Sequence, residues 1–182
     1  MEQTQQKLGK YKLVRHLATG GMAEIWLAEQ EGPGGFNKQL VIKQVLPHLA
    51  RNSQFTQMFL DEARLVAHLT HPNIGQIYEL GELDGAYFIA MEYIEGMDLS
   101  DMVEDLAEQG QFIPLPIAVY VVIQVLQALE YAHNFTDREG NFAGLVHRDV
   151  TPHNVLVSND GVVKLVDFGV AKAKANNNKT QT

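Results

Sequence analysis

Three oxygen-bearing side chains recur at short spacing late in the sequence. Asp149 and Asn154 stand in Val146-His147-Arg148-Asp149-Val150-Thr151-Pro152-His153-Asn154, and Asp167 in Lys164-Leu165-Val166-Asp167-Phe168-Gly169. Two carboxylates and an amide oxygen in this order suit the holding of hard cations and phosphate oxygens against a hydroxyl nucleophile. The local pattern explains how they would be brought together. Val155-Leu156-Val157 is a β-type apolar run, Asn159-Asp160-Gly161 is a hairpin turn signal, and Val162 to Val166 is a returning strand. Asp149 and Asn154 therefore precede the hairpin and Asp167 follows it, so all three fall at its same end. The plain alternative is a polar loop, a hairpin and a second loop carrying solvated acids.

The elements that must position this group lie upstream. Lys10 to Ala18 and Glu24 to Glu29 read as strands joined by Thr19-Gly20-Gly21-Met22-Ala23, where glycines would let backbone N–H groups approach phosphates. Leu40 to Val45 reads as a strand whose alternation puts Val41, Lys43 and Val45 on one face. Ser53 is placed as the N-cap of a helix running to about Leu69, with an apolar stripe of Phe55, Phe59, Ala63, Val66 and Leu69 that also contains Glu62. A lysine on an apolar strand face and a glutamate on an apolar helix stripe both need a partner, so Lys43 and Glu62 are expected to pair. The alternative is a structural salt bridge with no catalytic duty. Ile74 to Leu80 and Tyr87 to Glu92 read as two further strands, turning at Asp84-Gly85. Glu92 to Gly96 reads as a hinge.

Bulk properties narrow the function. The 182 residues suffice for one domain or two small lobes. A net charge of −8 argues against nucleic-acid or anionic-membrane partners, which need basic patches. With no cysteine there is no disulfide, which permits a reducing, cytoplasmic setting. The polar N-terminus shows no signal peptide. Leu115 to Leu129, interrupted by Gln124 and Gln127, is expected to be a buried core helix rather than a membrane span. The seven histidines are scattered, without zinc-ligand spacing; His133 and His153 are read as structural or solvated.

In family order, the Gly-Gly-Met loop, Val-Ile-Lys, Phe-Leu-Asp-Glu-Ala, His-Pro-Asn, Met-Glu-Tyr, His-Arg-Asp and Asp-Phe-Gly make the chain resemble the bacterial eukaryotic-like (Hanks-type) Ser/Thr protein kinases from about Lys10 to Lys172. The insert Asn134 to Gly144 and the wording Asp-Val-Thr-Pro-His-Asn are similar to a myxobacterial subgroup. The resemblance implies an α+β, bilobal kinase fold. Residues 1–9 and 173–182 would be disordered, residues 10–92 a five-stranded antiparallel N-lobe with one helix, and residues 93–172 part of a mostly helical C-lobe. It implies transfer of the γ-phosphoryl of ATP, with Mg²⁺, to a Ser/Thr hydroxyl of a protein substrate. Asp149 would then be the base, Asn154 and Asp167 the magnesium ligands, and Lys43 the phosphate contact held by Glu62. Gly20 and Gly21 would cover the phosphates. Leu17, Ile25, Val41 and Leu156 would surround the adenine, Met91 would close the pocket's rear, and the backbone of Glu92 and Ile94 would bind the adenine edge. Asp98 would reach the ribose. Val66, His147 and Phe168 would belong to the apolar column of the active state.

Two departures stand out. Thr151 replaces the lysine that most of these kinases carry, and Ala18 and Ala23 replace two loop glycines. The sequence ends at Thr182, soon after Asp-Phe-Gly, so the reading expects a piece of a longer kinase or a truncated product. Such a chain would transfer little phosphate alone and would leave apolar surface for a homodimer or a partner completing the C-lobe. The alternative functions are a non-catalytic nucleotide-binding or scaffolding module and, against Arg148 and Phe168, a small-molecule kinase.

Overall fold

The computed structural model describes residues 7–136, 140 and 144–168, the Glu62 side chain excepted. The chain divides into two compact units, Met1–Ala67 with Ile77–Tyr93, and His68–Gln76 with Ile94–Thr182.

The first unit is built on an antiparallel sheet of β1 (Lys7–Leu8), β2 (Tyr11–Thr19), β3 (Ala23–Glu31), β4 (Asn37–Val45), β5 (Ile77–Leu83) and β6 (Ala86–Glu92). Its strand order is β1-β2-β3-β4-β6-β5. The expected five strands become six because Lys7–Leu8 pairs with Lys12 and Tyr11, where the sequence suggested disorder to residue 9. Leu8 is buried at 7% exposure, so apolar burial fixes a segment that composition alone left as a tail. Asp84 and Gly85 both take positive φ, 51° and 77°, which gives the two-residue turn whose twist matches the flanking strands.

Alternation divides the sheet into two faces. Leu40 and Ile42 join Leu8, Tyr11, Leu13, Ala28, Phe88 and Ala90 in a buried cluster on one side. The opposite face carries Val41, Lys43 and Val45. A short α1 (Pro47–Ala50) precedes α2 (Ser53–Val66), so this unit holds two helices rather than one. Ser53 is the first helical residue; the cap is Asn52, whose Oδ1 accepts from Gln54 N and Phe55 N, both at 3.1 Å. Phe59, Ala63 and Val66 of the expected stripe are buried.

The second unit contains β7 (Gly96–Asp98), α3 (Leu99–Glu108), α4 (Leu115–His133), β8 (Val155–Ser158) and β9 (Val163–Leu165). Its sheet runs β7-β8-β9. The expected hairpin is present, with Gly161 at φ 80° in its turn. Gly96 is required: a Cβ there would lie 2.0 Å from Val157 O, so only glycine lets β7 close on β8. α4 differs from the expectation of a buried helix. Only Val121, Ala128 and Ala132 are buried, while Leu115, Val119, Val122 and Leu126 are 48–75% exposed. Among the described residues, too little of the chain packs on α4 to cover an apolar sequence of this length. By length and composition alone this 19-residue helix could also cross a membrane.

Candidate active site

The first unit presents four of the expected nucleotide residues on one sheet face. Lys43 pairs directly with Ile25 on β3 and with Ile89 on β6, and Val41 pairs with Leu27 and Met91. Directly paired residues share a face, so Ile25, Val41, Lys43 and Met91 form a compact patch. Glu92 ends β6 opposite Leu40. Leu17 is half-buried on β2, and Gly20 and Gly21 are exposed in the β2–β3 turn, where Gly20 N–H bonds Ala23 O at 2.9 Å. The expected pairing of Lys43 with Glu62 lies outside the described residues. Tyr11 of β2 donates to Oε2 of Glu79, on the edge strand β5 at the other end of the strand order, at 2.6 Å, and Lys10 pairs with the same oxygen. Burial pulls the Glu79 carboxyl up, but the hydrogen bonds from Lys10 and Tyr11 and the Lys10 charge outweigh it and hold it below its ordinary value.

In the second unit the three oxygen-bearing residues are brought together by backbone bonds. Val166 N–H donates to Asn154 O at 2.9 Å, which ties the loop before β8 to the loop after β9. The Asn154 amide donates to Asp149 O at 2.8 Å and to Asp149 Oδ2 at 3.2 Å. With its nitrogen turned to Asp149, its carbonyl oxygen faces elsewhere. His147, at 1% exposure, completes the join: its Nδ1 accepts from Asp149 N at 3.3 Å, and its Nε2 donates to Val166 O at 2.9 Å. Those two contacts require the neutral Nε2–H tautomer. Its ring also lies 4.5 Å from that of Phe168. Sequence reading placed His147 in an apolar column and missed this polar bridging; the buried neighbourhood that reveals it is not visible in the sequence.

Two non-glycine residues here adopt left-handed backbone, Arg148 at φ 62° and Asp167 at φ 56°. Such conformers cost about 1–3 kcal/mol and persist only where surrounding bonds enforce them. Here the His147 and Asn154 bonds do so. Asp98 caps α3 through Asp101 N at 2.9 Å, and its other oxygen is 3.5 Å from Nδ1 of the exposed His153. Leu156 pairs with Asp98, and Ile94 is half-buried. Thr151, at the position of the usual lysine, precedes the short turn Pro152–Asn154. A separate cleft of about 870 Å³ is lined by His71, Asn73, Gln124, Tyr131 and Val162 and by none of Asp149, Asn154 or Asp167, so size alone does not mark the chemistry.

Asn154 and Asp167 offer an all-oxygen donor pair, which fits a hard divalent cation. Among the described residues no cluster of three or more His, Asp or Glu is placed to hold a metal, so phosphate oxygens and water would supply the remaining ligands.

A β-sheet unit with a lysine on a strand face, and a second unit whose hairpin is flanked by Asp149, Asn154 and Asp167, are the parts of a phosphoryl-transfer fold. The protein kinase domain family model matches residues 11–182, and the chain belongs to that family. It is 47% identical to the tyrosine-protein kinase MasK of Myxococcus xanthus over 97% of its length, and 36% identical to the serine/threonine-protein kinase PrkC of Bacillus subtilis over 96%. It spans 27% and 24% of those two relatives, about a quarter of each. The crystal structure of the Mycobacterium tuberculosis PknI kinase domain superposes with a TM-score of 0.74 at 32% identity, covering 93% of this chain and 62% of that one. The fold is thus that of a protein kinase, with a six-stranded sheet in the first unit and part of the helical lobe in the second. Members of this family use ATP and a divalent metal.

Proposed function

We propose that the chain carries the phosphotransfer centre of a serine/threonine protein kinase, moving the γ-phosphoryl of Mg-ATP to a protein hydroxyl. The observation that supports this best is the bonding of Asp149, Asn154 and Val166 into one constellation, with Asp167 the residue after Val166. Asp149 accepts the hydroxyl proton as the acceptor oxygen attacks phosphorus. The neutral His147 and the Asn154 amide fix the Asp149 backbone and carboxylate for that transfer. Lys43 neutralises phosphate charge from the sheet face shared with Ile25, Val41 and Met91, which form the apolar wall for the base. Gly20 and Gly21 provide backbone N–H groups to phosphate oxygens, Asp98 serves the ribose, and the Glu92 and Ile94 backbone serves the adenine edge. Magnesium, when bound, would be held by Asn154 and Asp167 and would offset the negative charge of the phosphates.

As part of this reading we take the reaction to be cytoplasmic, a setting that a cysteine-free sequence permits. The uncovered apolar face of α4 supports burial against further polypeptide, a second copy or additional chain completing the lobe.

The test is Mg²⁺-dependent incorporation of γ-labelled phosphate into a protein substrate, with phosphoamino-acid analysis. The expected outcome is label on serine or threonine, lost in Asp149→Asn. Label on tyrosine alone would replace the acceptor class with that in the name of the 47% identical relative. Nucleotide binding without transfer in any longer form of the protein would favour the non-catalytic reading.

A further inference from the structure

Asn73 is one of the few buried polar residues among those described, at 5% exposure, and the phosphotransfer chemistry does not use it. Every hydrogen on its side-chain amide is engaged. One goes to Gln124 Oε1 on α4 at 2.9 Å, and the other to Val163 O at the start of β9 at 2.8 Å. Its backbone is engaged as well: Asn73 O accepts from Leu165 N at 2.8 Å, and Asn73 N–H donates to His71 Nδ1 at 3.1 Å. Gly75 N–H then donates to Leu165 O at 2.9 Å, and Ile74 bridges Leu165 in parallel.

The segment from Asn73 to Gly75 thus acts as an extra strand on the edge of β9 opposite β8. Leu165, fully buried, spends both its backbone N–H and its carbonyl on this segment and lies opposite Val155 of β8 on its other side. Asp167 lies two residues further on, in left-handed backbone, and β9 leads straight into Val166, the residue bonded to Asn154 and His147. A buried amide that ties α4, β9 and the preceding segment together fixes where β9 ends. It therefore fixes where the Asp167 carboxylate begins.

We propose that Asn73, oriented by Gln124, is a positioning residue for Asp167, acting through β9. This rests on the kinase reading for its functional consequence but not for its structural one. Removing the amide leaves the buried Val163 carbonyl and the half-buried Gln124 each with a partner lost, and β9 free to shift outward.

The test compares Asn73→Ala and Gln124→Ala in the full chain by native-state amide exchange and by kinetics. Exchange at Val166 to Phe168 is expected to rise tenfold or more, about 1.4 kcal/mol, while α4 stays protected. In phosphotransfer, kcat should fall about tenfold and the Mg²⁺ concentration for half-maximal rate should rise several-fold, with KM for ATP nearly unchanged. A residue of purely structural value would lower the melting temperature without moving the metal requirement. Gln124→Ala removes one bond and keeps Asn73, so it decides the matter if Asn73→Ala fails to fold. Wild-type exchange at Val166 to Phe168 in a folded variant overturns the proposal. An unchanged metal requirement in an active variant does so too. If the wild-type chain transfers no phosphate, the kinase reading fails, and the exchange result still decides the positioning role.

Discussion

Replacing Gly96 by alanine tests how the second unit is assembled. The added methyl would lie 2.0 Å from Val157 O and 2.7 Å from Ser158 Cα, both backbone atoms that cannot rotate away. A tolerable carbon–oxygen contact is about 3.3 Å, so the strands must part by more than ~1 Å. The β7–β8 register Gly96↔Ser158, Met97↔Val157 and Asp98↔Leu156 could not survive that separation. Losing two or three ladder bonds at about 1 kcal/mol each gives ~2–3 kcal/mol, and absorbing the clash as strain gives about 1–3 kcal/mol. The two routes overlap at ~2–3 kcal/mol of local destabilisation. The only tryptophan, Trp26, is in β3 and reports the first unit, so amide exchange in β8 is the suitable assay. Exchange at Val155 to Ser158 should accelerate roughly thirty- to a hundredfold, since each 1.4 kcal/mol is about a factor of ten. An acceleration below about threefold would refute the close-approach argument.

Three further outcomes are expected. Gly21→Ala meets no atom within 4 Å, so stability should change by less than about 1 kcal/mol, while ATP affinity, followed by titration, should weaken if the loop covers phosphates. Phe88→Ala opens the cluster beside Tyr11, whose ring meets it edge-on at 5.8 Å; a loss of about 3–5 kcal/mol should appear in urea unfolding followed by Trp26. Glu79 is held below its ordinary 4.5 by Lys10 and Tyr11 against its burial. Its depressed folded value means its stabilisation is present above that unfolded value and is lost as pH falls through the folded one. The stability gap between wild type and Glu79→Gln should therefore hold constant from pH ~7 to pH ~5 and narrow as pH falls below it, and a gap independent of pH down to pH ~2 would refute the ion-pair account.

Much of the site was legible in the order of residue types. The hairpin around Asn159-Asp160-Gly161 is local turn chemistry, so the placement of Asp149, Asn154 and Asp167 at one end could be read directly. Strand alternation likewise put Val41 and Lys43 on one face, although the sequence did not show that the other face, with Leu40 and Ile42, is the more deeply buried. Which face packs depends on partners far away in the chain, and alternation by itself is symmetric. The helix start was misplaced by one residue because Asn52 and Ser53 are both good caps, and only the backbone bend decides between them.

The sequence by itself determined the class of chemistry, through an acid, an amide and a second acid spaced about a turn-forming Gly, together with the two strand patterns that carry Lys43 and the loop glycines. These are local signals, set by backbone preference and side-chain type within a few residues. Tertiary structure decided the rest. It drew Leu8 into the sheet, exposed most of α4, and gave His147 and Asn73 their polar duties. It also held Arg148 and Asp167 in left-handed backbone. Each depends on contacts between segments distant in sequence, such as Asn73 with Val163, and closing those distances is a property of the packed chain alone.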